Sequence, residues 1–202
     1  MIEESLTFIR EELYNYLIND VKDAGAEVEL GNIALFETDN ANLINERILI
    51  TLVNIEEEST LKNSRNVYLG SDGGIRYSNQ PIFLNLYLLF SCNYNLYNTS
   101  LQRLGHIIRF FQQRRKFDVK SATSANNENA FREQDREFKL IFELYTLTFE
   151  QINHLWGALG GRQIPSVMFK ARLVKIEDSL VFRQGPPIEE IQTFTALTNE
   201  RK

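Results

Sequence analysis

Few residues in this sequence have the types and spacing that catalysis or metal binding requires. The chain has two histidines, His106 and His154, and a single cysteine, Cys92. That is too few for a zinc site built from Cys and His. His106 lies off the apolar stripe of a predicted helix, and His154 lies near Trp156 in another, where histidine is more often a surface or packing residue. No nucleophile-elbow motif surrounds a serine. We therefore expect no catalytic residue, no metal ion and no cofactor.

Three charged or glycine-rich stretches have simpler structural explanations. The glycines within residues 69–74 are not followed by Lys-Ser/Thr or by a predicted helix, so they indicate a turn and not a phosphate-binding loop. The acidic run at residues 56–58 follows a predicted strand, and a solvated strand end explains it better than a cation site. Glu143 alternates on its strand as Lys170 and Arg172 do on theirs, which predicts a structural cross-strand ion pair.

A basic cluster is the main candidate for an interaction site. Its members, on and just after a predicted helix at 99–116, are Arg103, Arg109, Arg114, Arg115 and Lys116. The helix dipole alone accounts for basic residues at a helix C-terminus. Arg103 extends the basic side by more than a turn, so contact with an acidic protein partner is the alternative interpretation.

The composition is that of an ordinary soluble globular protein. With 202 residues, 43% of them hydrophobic and 24% charged, the chain is long enough for one domain with a sizeable core. Its net charge of -5 argues against nucleic acid as a partner, and no apolar run approaches the roughly 20 residues of a membrane span. One cysteine excludes an intramolecular disulfide and fits a reducing cytoplasm. Fourteen Phe and eight Tyr exceed what one small core needs, which indicates assembly.

Three amphipathic helices are predicted. The first spans 2–23, ends before Gly25, and has an apolar stripe of Ile2, Leu6, Ile9, Leu13, Leu17 and Val21. The second spans about 99–116. Its predicted buried face is Leu101, Leu104, Ile108 and Phe111, with Ile107 and Phe110 beside it. The third is short. Thr148 is its predicted N-cap, Gln151 completes a capping box, and Gly160 and Gly161 end it.

Strands are predicted at 33–36, 48–55, 81–92, 138–148 and 167–176. The strand that Pro81 opens is apolar on both faces, so we expect it in the centre of a sheet with both faces covered. The remaining predictions are a small hairpin within the long loop at 56–80, a mobile polar loop at 118–137, and an edge strand at 180–182. An α+β fold, a sheet covered by helices, is the simplest layered arrangement of these elements.

Several blocks, in this order and spacing, resemble the terminator or cap proteins of contractile injection systems of the antifeeding-prophage type. The resemblance covers about residues 1–180. Its blocks are the N-terminal amphipathic helix ending near Val21, the strand start PIFLNLY at 81–87, the helix at 104–112 with its Phe110-Phe111 pair, and INHLW at 152–156 followed by Leu159-Gly160 and Pro165-Ser166.

The resemblance implies a structural protein with no catalytic motif. It implies a mainly antiparallel sheet flanked by helices, as in phage tail terminators, with a terminator domain at 1–184 and a C-terminal arm at 185–202. Such proteins form a ring, a hexamer, that ends the inner tube and the contractile sheath distal to the baseplate. The implied partners are other copies of the chain, the tube protein and the sheath protein, without nucleic acid or membrane. The implied location is the bacterial cytoplasm during assembly, then the particle.

If the chain forms such a terminator ring, the loops at 57–80 and 118–137 are expected to reach a neighbouring ring. The arm alternates well enough to add a strand to the sheath, and its expected contact residues are Ile188, Ile191 and Phe194. Two other classes stay open. One is an adaptor or binding domain that never forms a ring, and the other is a small enzyme with a dispersed active site.

Overall fold

A computed structural model describes residues 2–37, 45–58, 67–69, 75–78, 82–118, 139–176 and 181–185 of the chain. The described helices are α1 (Ile2–Asn15), α2 (Tyr97–Gln113) and α3 (Phe149–Ala158), with a π-helical turn at Tyr16–Asp20 and a 3-10 turn at Ile33–Glu37. The described strands are β1 (Val28–Leu30), β2 (Arg47–Glu57), β3 (Val67–Leu69), β4 (Ile75–Ser78), β5 (Ile82–Asn93), β6 (Lys116–Asp118), β7 (Lys139–Leu144), β8 (Ser166–Ile176) and β9 (Val181–Gly185).

These strands form two sheets. The larger has the order β1-β2-β5-β8-β7-β6, and the smaller has the order β3-β4-β9. β1 pairs with β2 in parallel, whereas the other described pairs are antiparallel. The α+β class with a mainly antiparallel sheet is therefore confirmed. The central position of β5, the β3–β4 hairpin and an additional strand near residue 180 are also as predicted, although that last strand joins the smaller sheet.

Helices α1 and α2 cover one face of the larger sheet, and aromatic side chains fill the layer between them. The ring of Phe111 on α2 lies 4.5 Å from that of Phe142, 4.4 Å from that of Phe169 and 5.1 Å from that of Phe90, measured between centroids. Other buried members of this core are Phe8, Ile9, Leu13, Leu17, Ile48, Leu88, Ile107, Phe110 and Phe117.

The opposite face of the sheet is covered by α3. Trp156 is buried there with Ile33, Leu49, Leu89 and Met168. Because successive residues of a strand point to opposite faces, Leu88 enters the first core and Leu89 the second. The two-faced apolar pattern of β5 is thus explained by a layer of helix on each side.

Local signals at α3 predicted its ends correctly. The Gln151 N–H donates to Thr148 Oγ1 over 3.2 Å, and the Thr148 N–H donates to Gln151 Oε1 over 3.0 Å, which forms the capping box. After the helix, Gly160 and Gly161 have φ of 105° and 78°, a region that favours glycine because it lacks a Cβ.

The first helix differs from the prediction in its last turns. The α-helix ends at Asn15 and continues as the π-helical turn Tyr16–Asp20, in which the Val21 N–H donates to the Tyr16 carbonyl over 3.1 Å. The residue with a left-handed backbone after it is Lys22, with φ of 60°, and not Gly25. The predicted apolar stripe is still largely buried or packed against the core.

The predicted strand at 33–36 is wrong, because these residues begin a 3-10 turn and the strand lies earlier, at Val28–Leu30. Thr51 on β2 fixes this turn. Its hydroxyl donates to the Gly31 carbonyl over 2.6 Å and accepts from the Ile33 N–H over 3.3 Å. The strand predicted at 138–148 is also shorter, because β7 ends at Leu144, before the capping box begins.

The predicted buried face of α2 is wrong in part, because it is rotated about the helix axis. Phe111 is buried and Leu104 packs against the core, as predicted. Ser100, Arg103, Ile107, Phe110 and Phe111 are buried, whereas Leu101 and Ile108 are exposed. The helix carries two overlapping apolar stripes that share Phe111. Pattern alone favoured the stripe without a charge, but Arg103 is neutralised within the fold, so the other stripe can face the sheet.

Candidate protein-interaction surface

The predicted basic cluster is divided in the structure, and Arg103 lies inside the fold. It is 7% exposed, and its guanidinium donates from Nε to Asp23 Oδ2 over 2.9 Å and from Nη2 to Asp23 Oδ1 over 3.0 Å. The guanidinium also lies 4.1 Å from the centroid of the Tyr94 ring. The hydrogen bonds from Arg103 hold the pKa of Asp23 below its usual value. Arg103 therefore joins α2 to the turn after α1.

Arg114 also has partners within the chain. Its Nη1 donates to Glu12 Oε2 over 2.7 Å, and its guanidinium lies 4.7 Å from the centroid of the Phe117 ring. Glu12 is buried on α1, so this ion pair satisfies a carboxylate that water cannot reach. Two ion pairs thus join the α1 segment to the α2 segment: Arg103 binds the turn after α1, and Arg114, just after α2, binds α1 itself.

Arg109, Arg115 and Lys116 have exposed side chains. The backbone of this segment is fixed, because the Phe142 N–H donates to the Arg115 carbonyl over 2.8 Å and Lys116 begins β6. A role of the cluster in protein interaction stays a prediction, carried by these three side chains. The other predicted contact residues, Ile188, Ile191 and Phe194, lie outside the described residues. So do residues 119–137 of the loop predicted at 118–137, whose first residue, Asp118, ends β6.

The acidic run at residues 56–58 does not follow β2 but includes its last two residues, and two members of the run pair with basic residues of β8. Lys170 Nζ donates to Glu56 Oε2 over 3.1 Å, and the Tyr87 hydroxyl donates to the same oxygen over 2.6 Å. These two hydrogen bonds, with Tyr87 the larger cause, lower the pKa of Glu56. The predicted cross-strand pair forms between Arg172 and Glu143, at 3.1 Å. These side-chain contacts between neighbouring strands account for the acidic residues as part of the sheet structure.

An apolar groove of about 600 Å³ lies between α2 and α3, at the end of the sheet where β7 stops and β8 begins. We call it the apolar groove. Its rim includes Tyr97, 65% exposed, and Leu144, 59% exposed. Its other apolar lining residues include Leu101, Leu104, Ile108, Leu147, Ile152 and Val167. Leu101, Leu104 and Ile108, which the sequence pattern assigned to the core, thus face this groove. The presence of a second apolar stripe on α2 was the sequence signal that could have predicted it.

The residues considered for catalysis form no site among the described residues. Cys92 is fully buried on β5, and burial raises the pKa of its thiol to about 12. His106 is partly buried on α2, and His154 is exposed on α3. In the described part of the chain, no group of three or more His, Cys, Asp or Glu residues is placed to hold a metal ion. None of the helices described there is both long and apolar enough to cross a membrane.

Comparison with known proteins identifies the class to which this fold belongs. The chain matches the family model described as the Pvc16 N-terminal domain over residues 6–190. Because this match spans most of the chain, the protein belongs to the Pvc16 N-terminal domain family. No curated protein has a significant sequence match to it.

Two solved structures have a similar fold. One is the sheath/tube terminator of the PVC extracellular contractile injection system in its extended state, with a TM-score of 0.61 and 12% sequence identity. The other is the anti-feeding prophage cap, described as a tube-terminating cap, with a TM-score of 0.61 and 10% identity. These matches cover 100% and 96% of this chain but only 65% and 62% of those chains. The resemblance inferred from the sequence, including the terminator-like fold, is confirmed.

Proposed function

We propose that this protein is a structural cap that terminates the inner tube and the contractile sheath of a phage-tail-like contractile injection system. The observation that carries this proposal is the family match over residues 6–190. The similarity of fold to a sheath/tube terminator and to a tube-terminating cap supports it. In this proposal the protein has no catalytic role.

The surface of the chain is suited to assembly. Large apolar side chains are exposed around the apolar groove, and Phe149 at the start of α3 is 93% exposed. Contiguous exposed apolar surface on a water-soluble domain is typical of a protein-binding site. A cap needs such surfaces because it must bind the last rings of tube and sheath.

The finer parts of the proposal concern geometry and location. Several copies, six in the simplest case, form a closed ring at the end distal to the baseplate. The ring assembles in the bacterial cytoplasm and remains in the finished particle. Residues 1–184 form the ring and residues 185–202 reach the sheath, where Ile188, Ile191 and Phe194 add a strand to a sheath subunit.

The first experiment measures the mass of the purified protein by light scattering over a concentration series, alone and with purified tube and sheath proteins. We expect a closed oligomer, and electron microscopy should show it at tube ends. A protein that binds tube and sheath as a monomer would instead be an adaptor. A protein that binds neither would refute the cap.

A second experiment tests the arm. Deleting residues 186–202 should leave the ring intact and weaken binding to sheath, while binding to tube is unchanged. Replacing Ile188, Ile191 and Phe194 with Ser in the full-length chain is the matched control, because it keeps the length of the arm. Normal sheath binding by both variants would remove the arm from the proposal.

A further inference from the structure

The two edges of the six-stranded sheet carry opposite charges. At one edge, β1 carries Glu29 and follows the exposed Glu27. At the other edge, β6 begins with the exposed Lys116 and follows the exposed Arg115. Among the described strands, β1 pairs with β2 and β6 pairs with β7, and no described strand lies beyond either of them.

The same asymmetry is found in the two chain segments that contain the edge strands. Residues 2–37, which contain α1 and β1, have nine acidic and two basic residues, whereas residues 97–118, which contain α2 and β6, have five basic and one acidic. Part of this charge is paired inside the chain, since Glu12 binds Arg114 and Asp23 binds Arg103. Of the remaining charges, Glu27 and Glu29 lie at the β1 edge, and Arg115 and Lys116 lie at the β6 edge.

Partners within the chain reduce the acidity of the β1 edge without removing it. Glu27 lies 3.0 Å from Arg47, and Glu29 lies 4.0 Å from Arg10, which itself lies 3.2 Å from Glu11. These pairs are partly exposed and leave more carboxylates than cations at this edge. Exposed pairs of this kind are weak, so their members can rearrange toward a partner.

Each charged edge also has an exposed apolar side chain beside it. Arg10 approaches Glu29, and Tyr14 lies one helical turn further along the same face of α1 and is exposed. At the opposite edge, Leu144 at the end of β7 is exposed on the rim of the apolar groove. A contact between unlike edges would therefore bury apolar surface as well as pair opposite charges.

We infer that the β1 edge of one copy of this chain docks against the β6 edge of a second copy. Two β1 edges together, or two β6 edges together, would place like charges side by side, which disfavours a two-fold symmetric contact. A contact between unlike surfaces is heterologous, and it forms a closed ring when its rotation closes. The inference deepens the proposed cap and rests on it, because it names the surfaces that join the copies.

A charge-swap experiment tests this docking. The first variant carries Arg115→Glu and Lys116→Glu, so both of its edges are acidic. The second carries Glu27→Lys and Glu29→Lys, so both of its edges are basic. Each variant alone should associate at least about tenfold more weakly than the unmodified chain, because every contact would join like charges.

An equimolar mixture of the two variants should restore association, because alternating copies again present unlike edges to each other. The restored oligomer should contain an even number of subunits, with both variants in equal amounts by mass spectrometry. The control is Glu150→Lys on α3, a charge reversal on the helix that covers the face of the sheet opposite to α1 and α2, which should associate as the unmodified chain does. Circular dichroism checks that each variant is folded.

A disulfide trap keeps the inference testable if a reversed variant fails to fold. The double variant Glu29→Cys, Lys116→Cys should give covalent multimers on mild oxidation, whereas each single variant should not. The native Cys92 is buried and can stay in place.

The outcomes separate this inference from the cap proposal. If the charge-reversed variants associate as strongly as the unmodified chain, the edge assignment is wrong, and the cap still stands if the chain binds tube and sheath ends. An unmodified chain that stays monomeric both in solution and on tube ends also overturns the inference. Failure of the unmodified chain to bind tube or sheath refutes the cap.

Discussion

Arg103 on α2 and Asp23 after α1 form a bidentate ion pair, with nitrogen–oxygen distances of 2.9 and 3.0 Å, across a sequence separation of 80 residues. The pair explains how a helix with a charge on its inner face packs against an aromatic core. Because the guanidinium is nearly buried, the carboxylate of Asp23 offsets the free-energy cost of burying its positive charge.

Asp23→Asn should lower the free energy of unfolding by about 2 kcal/mol at pH 7, since a charge-assisted hydrogen-bond pair is lost and Arg103 keeps its charge. The pKa of Asp23 is lowered in the folded state. Its contribution is therefore present above the unfolded-state pKa and is lost as pH falls through the folded-state pKa. Urea unfolding from pH 7 down to pH 3 should show the difference between variant and unmodified chain shrinking.

The control for this prediction is Glu143→Gln, which breaks an exposed pair with Arg172 and should cost less than about 1 kcal/mol. A difference between Asp23→Asn and the unmodified chain that stays constant down to pH 3 would contradict the linkage. Equal effects of the two substitutions would show that burial of Arg103 does not strengthen its pair.

Phe111 should be among the most sensitive core positions, because its ring contacts those of Phe90, Phe142 and Phe169 from three strands. Phe111→Ala should reduce the free energy of unfolding by about 3–5 kcal/mol through lost burial and a residual cavity. Because that is a large part of the stability of a typical domain, Phe111→Leu gives a milder test, at about 1–2 kcal/mol. Urea unfolding followed by circular dichroism measures both.

Phe149 provides the matched control for Phe111. It is the same residue type, it also lies in a helix, and it is 93% exposed. Phe149→Ala should change the free energy of unfolding of the isolated chain by no more than about 0.5 kcal/mol. A large effect at Phe149, or a negligible one at Phe111, would contradict the described packing.

Cys92 should make the fold sensitive to alkali. Burial raises the pKa of its thiol from 9.0 to about 12, and burial likewise raises that of Tyr94 from 10.0 to about 12. Above pH 9 the unfolded chain releases the thiol proton while the folded chain retains it. Stability should therefore fall as pH rises from about 9, by up to about 1.4 kcal/mol per pH unit for each such group.

Two measurements check this alkaline effect. A thiol reagent at pH 8 should modify Cys92 slowly in the folded chain and rapidly in urea, because the reactive thiolate is scarce and buried. Cys92→Ala should lose less stability than the unmodified chain between pH 8 and pH 10. Rapid modification of the folded chain, or equal alkaline losses, would show that the thiol is not held in its neutral form.

The elements that sequence reasoning predicted well are those specified by local chemistry. Thr148 and Gln151 define the start of α3 by a contact that spans three residues, and the two apolar faces of β5 require cover on both sides. The α+β class follows from the order of such elements. Local signals were sufficient there because tertiary contacts agree with them.

The errors arise where a distant contact decides the structure. The turn at Ile33 depends on the hydroxyl of Thr51, 18 residues away, and the buried face of α2 depends on Asp23, 80 residues before Arg103. Neither contact is visible in a periodicity. The same misassigned face concealed the apolar groove, since Leu101 and Ile108 were placed in the core instead of on the surface.

Leu144 tests the apolar part of the inferred contact between copies. Leu144→Asp should leave the free energy of unfolding within about 0.5 kcal/mol, because the side chain is mostly exposed. It should weaken association between copies about tenfold or more, because it places a charge in surface that is buried on docking. Light scattering over a concentration series measures the association, and urea unfolding measures the stability.

Ile82→Asp is the matched control, since Ile82 is an exposed apolar residue at the start of the central strand β5, away from both edge strands, and does not line the apolar groove.

Ionic strength separates the two parts of the contact. Raising the salt to about 1 M screens the charges of Glu27, Glu29, Arg115 and Lys116 and should weaken association of the unmodified chain. The loss due to Leu144→Asp should persist at that salt concentration, because burial of apolar surface does not depend on charge screening. Association that is insensitive to Leu144→Asp at both salt concentrations would exclude the rim of the apolar groove from the contact.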